Sequence, residues 1–329
     1  MKLIEVITDK QNMGPVTSIA DQHELEINWI GAPDQQDRQL IRLLVNDAKR
    51  QSVLDALQGL LGESSRILVL QLEAALPRKE KEPSDEETRK TVTTTREELY
   101  NDVVRNANLD STYLLLVFLS TVVVAIGLLE DNVAVVIGAM VIAPLLGPNM
   151  ALALGAALGD MALMWQATKT TIAGVTLALS LSIIIGIIYP INLESHELIA
   201  RTDVGLDSVV LALASGAAAV LSLTTGLASV LVGVMVAVAL LPPTATLGLM
   251  MGAGQPRLAL GAALLLAVNI VSVNLAAKVV FWVRGVKPRS WLEKQKANQS
   301  MVTYLVLWAV SLLVLLVVIL IRKGLLVIL

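Results

Sequence analysis

The chain contains no cysteine, which excludes disulfides, thiolate metal sites and a thiol nucleophile. Its two histidines, His23 and His196, stand alone, so an imidazole-based zinc site is not expected either. Aromatic residues make up only 3% of the 329 positions, too few to wall a stacking cage around a sugar or nucleobase; small ions or compact solutes suit this composition better. Charged residues are 16% and the net charge is −3, a balance that points to no nucleic-acid partner. There is no Walker sequence, recognisable nucleophile or pair of acids at catalytic spacing, so neither enzymatic activity nor a cofactor or metal is expected. The opening MKLIEVITDK carries acids within its apolar stretch, unlike a signal peptide, which predicts a cytoplasmic amino terminus.

Apolar sequence is what the chain has in plenty: 55% hydrophobic residues and a mean hydropathy of +0.70, more than a soluble domain of this length carries. The charges that dilute it are concentrated before residue 110, whereas after Tyr113 apolar runs follow one another. Each run is about 20 residues, enough to cross roughly 30 Å of hydrocarbon. A soluble domain therefore precedes a membrane domain, with the lipid bilayer as its first partner.

In the soluble part, Lys2 to Asp9, Leu25 to Ile30, Gln39 to Val45 and Arg66 to Leu72 read as strands. Lys49 to Leu61 has helical spacing, and a weaker helix is expected over Val16 to His23. The order βαββαβ predicts a small α+β ferredoxin-like domain over residues 1–76, a fold that can bind a regulatory ligand, oligomerise or simply support. Residues 77–110 form a charged linker and a polar helix with a thin apolar stripe at Val92, Leu99, Val103 and Ala107. That helix suits the membrane surface, pairing with its copies in a homo-oligomer, or a solvated spacer.

Seven spans are predicted, at about Tyr113 to Leu129, Val133 to Leu158, Thr171 to Ile191, Ser208 to Thr224, Leu227 to Met250, Leu258 to Val283 and Met301 to Ile321. They divide into a first membrane unit with its outer loop (111–207), a second unit (208–283) and a basic loop with a final span (284–329). Lys169, Arg284, Lys287, Arg289, Lys294 and Lys296 fall on the side of the amino terminus, as cytoplasmic loops require, and the acidic loop from Asn192 to Asp207 falls outside. Arg257, Arg322 and Lys323 run against that rule.

Ile137 to Asn149, IGAMVIAPLLGPN, recurs as Val232 to Thr244, VGVMVAVALLPPT, at an offset of 95 residues, and nine of the 22 positions from Gly138 to Gly159 are identical. The offset also maps the first span onto the fourth, with Ser120 on Ser215. Because each unit has an odd number of spans, the second must enter from the opposite side, giving an inverted 3+3 repeat. Each copy carries prolines, Pro144 and Pro148 or Pro242 and Pro243, expected to break their helices and leave backbone groups for protein, water or solute to satisfy.

Asn149 and Thr244 share one repeat position, so the two could face a single central site, with Thr246 adding to it; the alternative is a packed kink whose polar side chains satisfy freed backbone. Glu130 and Asp131 read as an exposed hairpin turn or, drawn inward, as a coupling pair for a proton or cation, although neither is duplicated in the second copy. Asn269, Asn274 and Lys278 are expected on roughly one side of the sixth span, lining a polar path, while Lys278 could instead snorkel to the cytoplasmic interface.

The segment LSTVVVAIGLLEDNVAVVIGAMVIAPLLGPNMALALGAALGD, together with LPPTAT near Leu241, resembles the prokaryotic membrane family catalogued as domain of unknown function 389. The resemblance covers roughly Leu109 to Phe281 and implies a polytopic inner-membrane protein, often joined to an amino-terminal soluble domain. It carries over no site residue. The sequence reading is thus a transporter or channel-like permease for a small ion or compact solute, an anion rather than a cation because the spans hold few fixed negative charges. The alternative is a membrane-anchored sensor or scaffold whose soluble domain binds a cytoplasmic ligand.

Overall fold

The structure is a computed structural model describing residues 2–35, 37–46, 49–61, 65–72, 96–225, 229–284 and 291–323, with the backbone alone described at 71, 96–97, 225, 229–239 and 291–302. The linker expected at Pro77 to Ser84 and the basic positions Lys287 and Arg289 lie outside the described residues. Contacts divide the chain into two units, Met1–Arg96 and Glu97–Leu329.

In the first unit the elements are β1 (Lys2–Asp9), α1 (Met13–Gln22), β2 (Glu26–Ile30), β3 (Arg38–Val45), α2 (Arg50–Leu60) and β4 (Arg66–Gln71). Every pairing is antiparallel and the sheet order is β2-β3-β1-β4. That order places β1 between β3 and β4, the interlocked arrangement of a split βαββαβ unit. Period-two alternation turns Ile4 and Val6 of β1, and Ile41, Leu43 and Val45 of β3, toward the helices. Val16, Ala20, Val53, Leu54 and Leu57 meet them there and close a dry core. On the opposite face Glu5 pairs with Arg42 at 2.7 Å, Arg42 lies over Trp29, and Trp29, Leu68 and Leu70 are exposed.

The second unit is helical: α3 (Arg96–Asn106), α4 (Ser111–Leu129), α5 (Val133–Ile142), α6 (Leu146–Leu158), α7 (Met161–Ile188), α8 (His196–Ala200), α9 (Leu206–Thr225), α10 (Ser229–Gly252), α11 (Pro256–Val283) and α12 (Trp291–Arg322). Polar N-caps mark the starts of the apolar helices, as Asp110, Asn132 and Asp160 accept from the amides of Tyr113, Val135 and Leu163. The Asp160 cap sets the start of α7 at Met161, ten residues before the expected Thr171. Among the described residues five helices are long and apolar enough to cross a membrane, or six if α5 and α6, bent by 53°, are one span. The remaining expected span coincides with α10, a helix of 24 residues.

The two proline segments behave differently, which corrects the expectation of two broken helices. Ala143, forced out of the helical region by the ring of Pro144, is extended (φ −69, ψ 119) and separates α5 from α6. Pro148 then falls within the first turn of α6, where a missing amide donor costs little. In the second copy the position of Pro144 is taken by Ala239, and α10 runs unbroken through Pro242 and Pro243. The break follows Pro144, whose counterpart is Ala239, whereas Pro242, which falls on Gly147 in the first copy, leaves its helix continuous.

The apolar stripe of α3 packs within its own chain, since Leu99, Val103 and Ala107 share a core with Met150, Leu154 and Ala157 of α6. The carboxyl end of α12 returns beside the 192–207 loop, where Lys323 lies 3.5 Å from Asp203. Helices α7 and α10 meet through glycines: a methyl on Gly248 would stand 2.5 Å from the Ser182 Cβ, and methyls on Gly186 and Gly252 would strike the carbonyls of Leu249 and Ile183.

Candidate functional site

Asn149 sits one turn after the break, on a helix whose N-cap, Leu145, offers no side-chain acceptor. Across from it on α11 is Asn274, and both side chains are buried, 2% and 0% exposed. The Asn274 Nδ2 donates to Asn149 Oδ1 at 2.5 Å and to the Ile270 carbonyl at 2.9 Å. Among the described residues Asn149 Nδ2 and Asn274 Oδ1 have no partner, so the pair presents one free donor and one free acceptor. Each such orphan costs about 1–3 kcal/mol.

Lys278 follows Asn274 by one turn of α11, about 6 Å along the axis. Its side chain is fully buried and its ammonium lies 5.2 Å from the ring of Tyr304 and 5.0 Å from that of Trp308 on α12. It has no hydrogen-bond or ion-pair partner among the described residues. A desolvated cation–π contact contributes about 2 kcal/mol, whereas removing an ion from water costs several kcal/mol. The two rings therefore orient the ammonium without compensating its burial. This placement corrects the snorkelling reading, because the head group is enclosed by α12 instead of reaching an aqueous edge.

The other expected site residues disperse. Thr244 donates its hydroxyl to the Leu240 carbonyl at 2.7 Å, satisfied on its own helix, so it does not join Asn149 in a symmetric pair. Thr246 is buried with a free hydroxyl, as are Ser182 and Ser272, which the sequence reading missed because an isolated serine in an apolar run carries no spacing signal. Pro243 and Asn269 line a cleft of about 310 Å³ with Glu197, Arg201 and Asp207. Asn269 and Lys278 are nine residues apart, about 180° around a helix, and so face opposite sides of α11, which corrects the single polar face.

Glu130 and Asp131 are exposed. Asp131, in the left-handed region (φ 55), accepts from the amide of Glu197 at 2.6 Å, and Ser195 Oγ donates to the Leu128 carbonyl at 2.6 Å. The acid thus ties the α4–α5 turn to α8, and no inward-facing carboxylate pair forms. At the other end of the unit, Tyr100 donates to Asp160 at 2.8 Å. Among the described residues no group of three or more potential metal ligands occurs.

Tyr304 and Trp308, which hold Lys278, were also missed. The available signal was two aromatics at helical spacing on the final span of an aromatic-poor chain.

The family described as Domain of unknown function (DUF389) matches residues 140–275, an interval containing Asn149 and Asn274 and ending just before Lys278. An uncharacterised protein of Methanocaldococcus jannaschii is 34% identical over 281 residues, covering 85% of this chain and 87% of the relative. No solved structure matches.

Proposed function

This chain belongs to the family described as Domain of unknown function (DUF389), and from the buried site it carries we propose that it is a membrane permease for a small ion or compact solute. The observation that carries the reading is the Asn149–Asn274 pair, two amides with unmet hydrogen bonds inside a bundle of apolar helices. Polar groups left unsatisfied among such helices mark a path for solute more readily than a packing contact, which would favour apolar or fully paired side chains.

In this reading the chain crosses the bilayer seven times, α10 and α12 included, with its amino terminus in the cytoplasm and two units of inverted orientation. The packing of the units supports the inversion. Asn149 of α6 meets Asn274 of α11, and an offset of 95 converts that pair to Thr244 and Leu179. The Leu179 carbonyl lies 2.8 Å from where a methyl on Gly248, one turn beyond Thr244, would stand. Each second helix thus packs against the third helix of the other unit. Lys323 beside Asp203 supports a final span that ends with the outer loop, which gives the exceptional basic residues there an acidic neighbour. The exposed apolar face of the soluble sheet supports a homo-oligomer.

Flux of small ions and neutral solutes through liposomes containing the purified protein tests the reading. The double variant Asn149→Leu, Asn274→Leu removes both amides together, an exchange that costs little stability because neither partner is left unpaired. Loss of flux with an unchanged unfolding midpoint is expected; wild-type flux in that variant rules out the site.

A further inference from the structure

We propose that Asn149, Asn274 and Lys278 bind a small monovalent oxyanion that carries its own proton, of the hydrogencarbonate type, with Lys278 as its counter-charge. The assignment rests on the permease reading and names the substrate class for the same site. Three features converge on a single turn of α11. The Lys278 ammonium is fully buried and, among the described residues, lacks a hydrogen-bond or ion-pair partner. The Asn149 Nδ2, on the opening turn of α6, is a second buried donor with no acceptor among the described residues. That helix begins after the Pro144 break with no side chain capping it, and its amino-terminal end favours an anion.

Among the described residues no carboxylate pairs with Lys278, and Glu293 of α12 has its backbone alone described. The helices α4, α5, α6, α7, α10 and α11 contain no aspartate or glutamate. Asp160, beyond the end of α6, accepts from Tyr100 and caps α7. Glu197, Asp203 and Asp207 belong to the opposite end of the unit, where Glu197 pairs with Arg201 and Asp203 with Lys323. The rings of Tyr304 and Trp308 hold the ammonium but bring no charge.

The remaining orphan, Asn274 Oδ1, narrows the ligand further. A bare halide or nitrate accepts from ammonium and amide but offers nothing to this oxygen, whereas a protonated oxyanion accepts twice and donates once. Its proton would go to Asn274 Oδ1 and its charge to Lys278, satisfying all three unpartnered atoms without bond making or breaking.

The test uses full-length protein, with the unfolding midpoint followed in detergent against hydrogencarbonate, nitrate and chloride as their sodium salts, and flux of each followed in liposomes. A saturable rise in midpoint with hydrogencarbonate, larger than with either other anion, is expected. Lys278→Met should weaken it about a hundredfold, as loss of one partner of a buried charge pair does, and Lys278→Arg should restore part of it. If Lys278→Met does not fold, Asn149→Leu carries the comparison, with apparent affinity expected to fall roughly tenfold. No anion response, or the same response in Asn149→Leu as in the wild type, overturns the site; equal responses to all three anions overturn the oxyanion assignment. Flux of a cation or neutral solute without an anion response overturns this inference and leaves the permease standing. A Lys278-dependent anion response without flux of any probe does the reverse.

Discussion

Tyr100 donates to Asp160, and this hydrogen bond, reinforced by partial burial and by the negative charge of the acceptor, holds the phenol above its ordinary pKa. Because the folded value exceeds the unfolded one, the stabilisation is complete below about pH 10, the usual phenol value, and is lost as pH rises through the folded value. Tyr100→Phe should lower stability by about 1 kcal/mol near neutral pH, and the gap to wild type should narrow in alkaline unfolding scans. At Asp131, Asn keeps the acceptor and tolerates the left-handed backbone. Asp131→Asn should therefore leave stability and the pH dependence of flux unchanged, while Asp131→Ala should cost about 1 kcal/mol as a lost cap. A flux that loses its pH dependence in Asp131→Asn would restore the coupling role. Sequence singled out Asn149 and Asn274 separately but could not join them, since 125 positions intervene and periodicity carries no information about which helices touch. The snorkelling alternative for Lys278 fails for the same reason: the helix that covers it belongs to a distant segment.

Helix α6 is fixed by what lies on its two sides. A methyl at Gly147 would collide with the Asn106 carbonyl at the end of α3, whereas one at Gly138 on α5 would meet nothing within 4 Å. Alanine favours a helix over glycine by about 1 kcal/mol, but forcing a methyl against a backbone carbonyl costs about 1–3 kcal/mol. Gly147→Ala should therefore destabilise and reduce flux, because α3 and Asn149 adjoin the same turn, while Gly138→Ala should be neutral or stabilising; thermal unfolding and liposome flux read both. Helix existence was legible from apolar run length. The break was legible only in part: both copies have two prolines, yet the backbone bends where Pro144 stands without a counterpart. What distinguishes them is the position of each proline within its turn, a matter of single residues that the shared motif conceals.

At the scale of the molecule the two units have separate cores, one closed by Ile4, Ile41 and Leu57 and the others built by helices of the second unit. Denaturation of the full chain should show two transitions, and deleting residues 1–84 should remove one and leave the other, with flux retained; one shared transition would show that the units stabilise each other. The division into an amino-terminal sheet and apolar helices was plain from charge density, and the strand order followed from the order of strand and helix patterns. The packing of α7 on α10 was not, because glycine and alanine are common throughout and no spacing singles out Gly186, Gly248 and Gly252. Where these meet, the two backbones approach closely, with little side chain between them. Such a contact resists being pulled apart but has few teeth to oppose travel along it, so α7 and α10 are shaped to slide along each other more easily than to part.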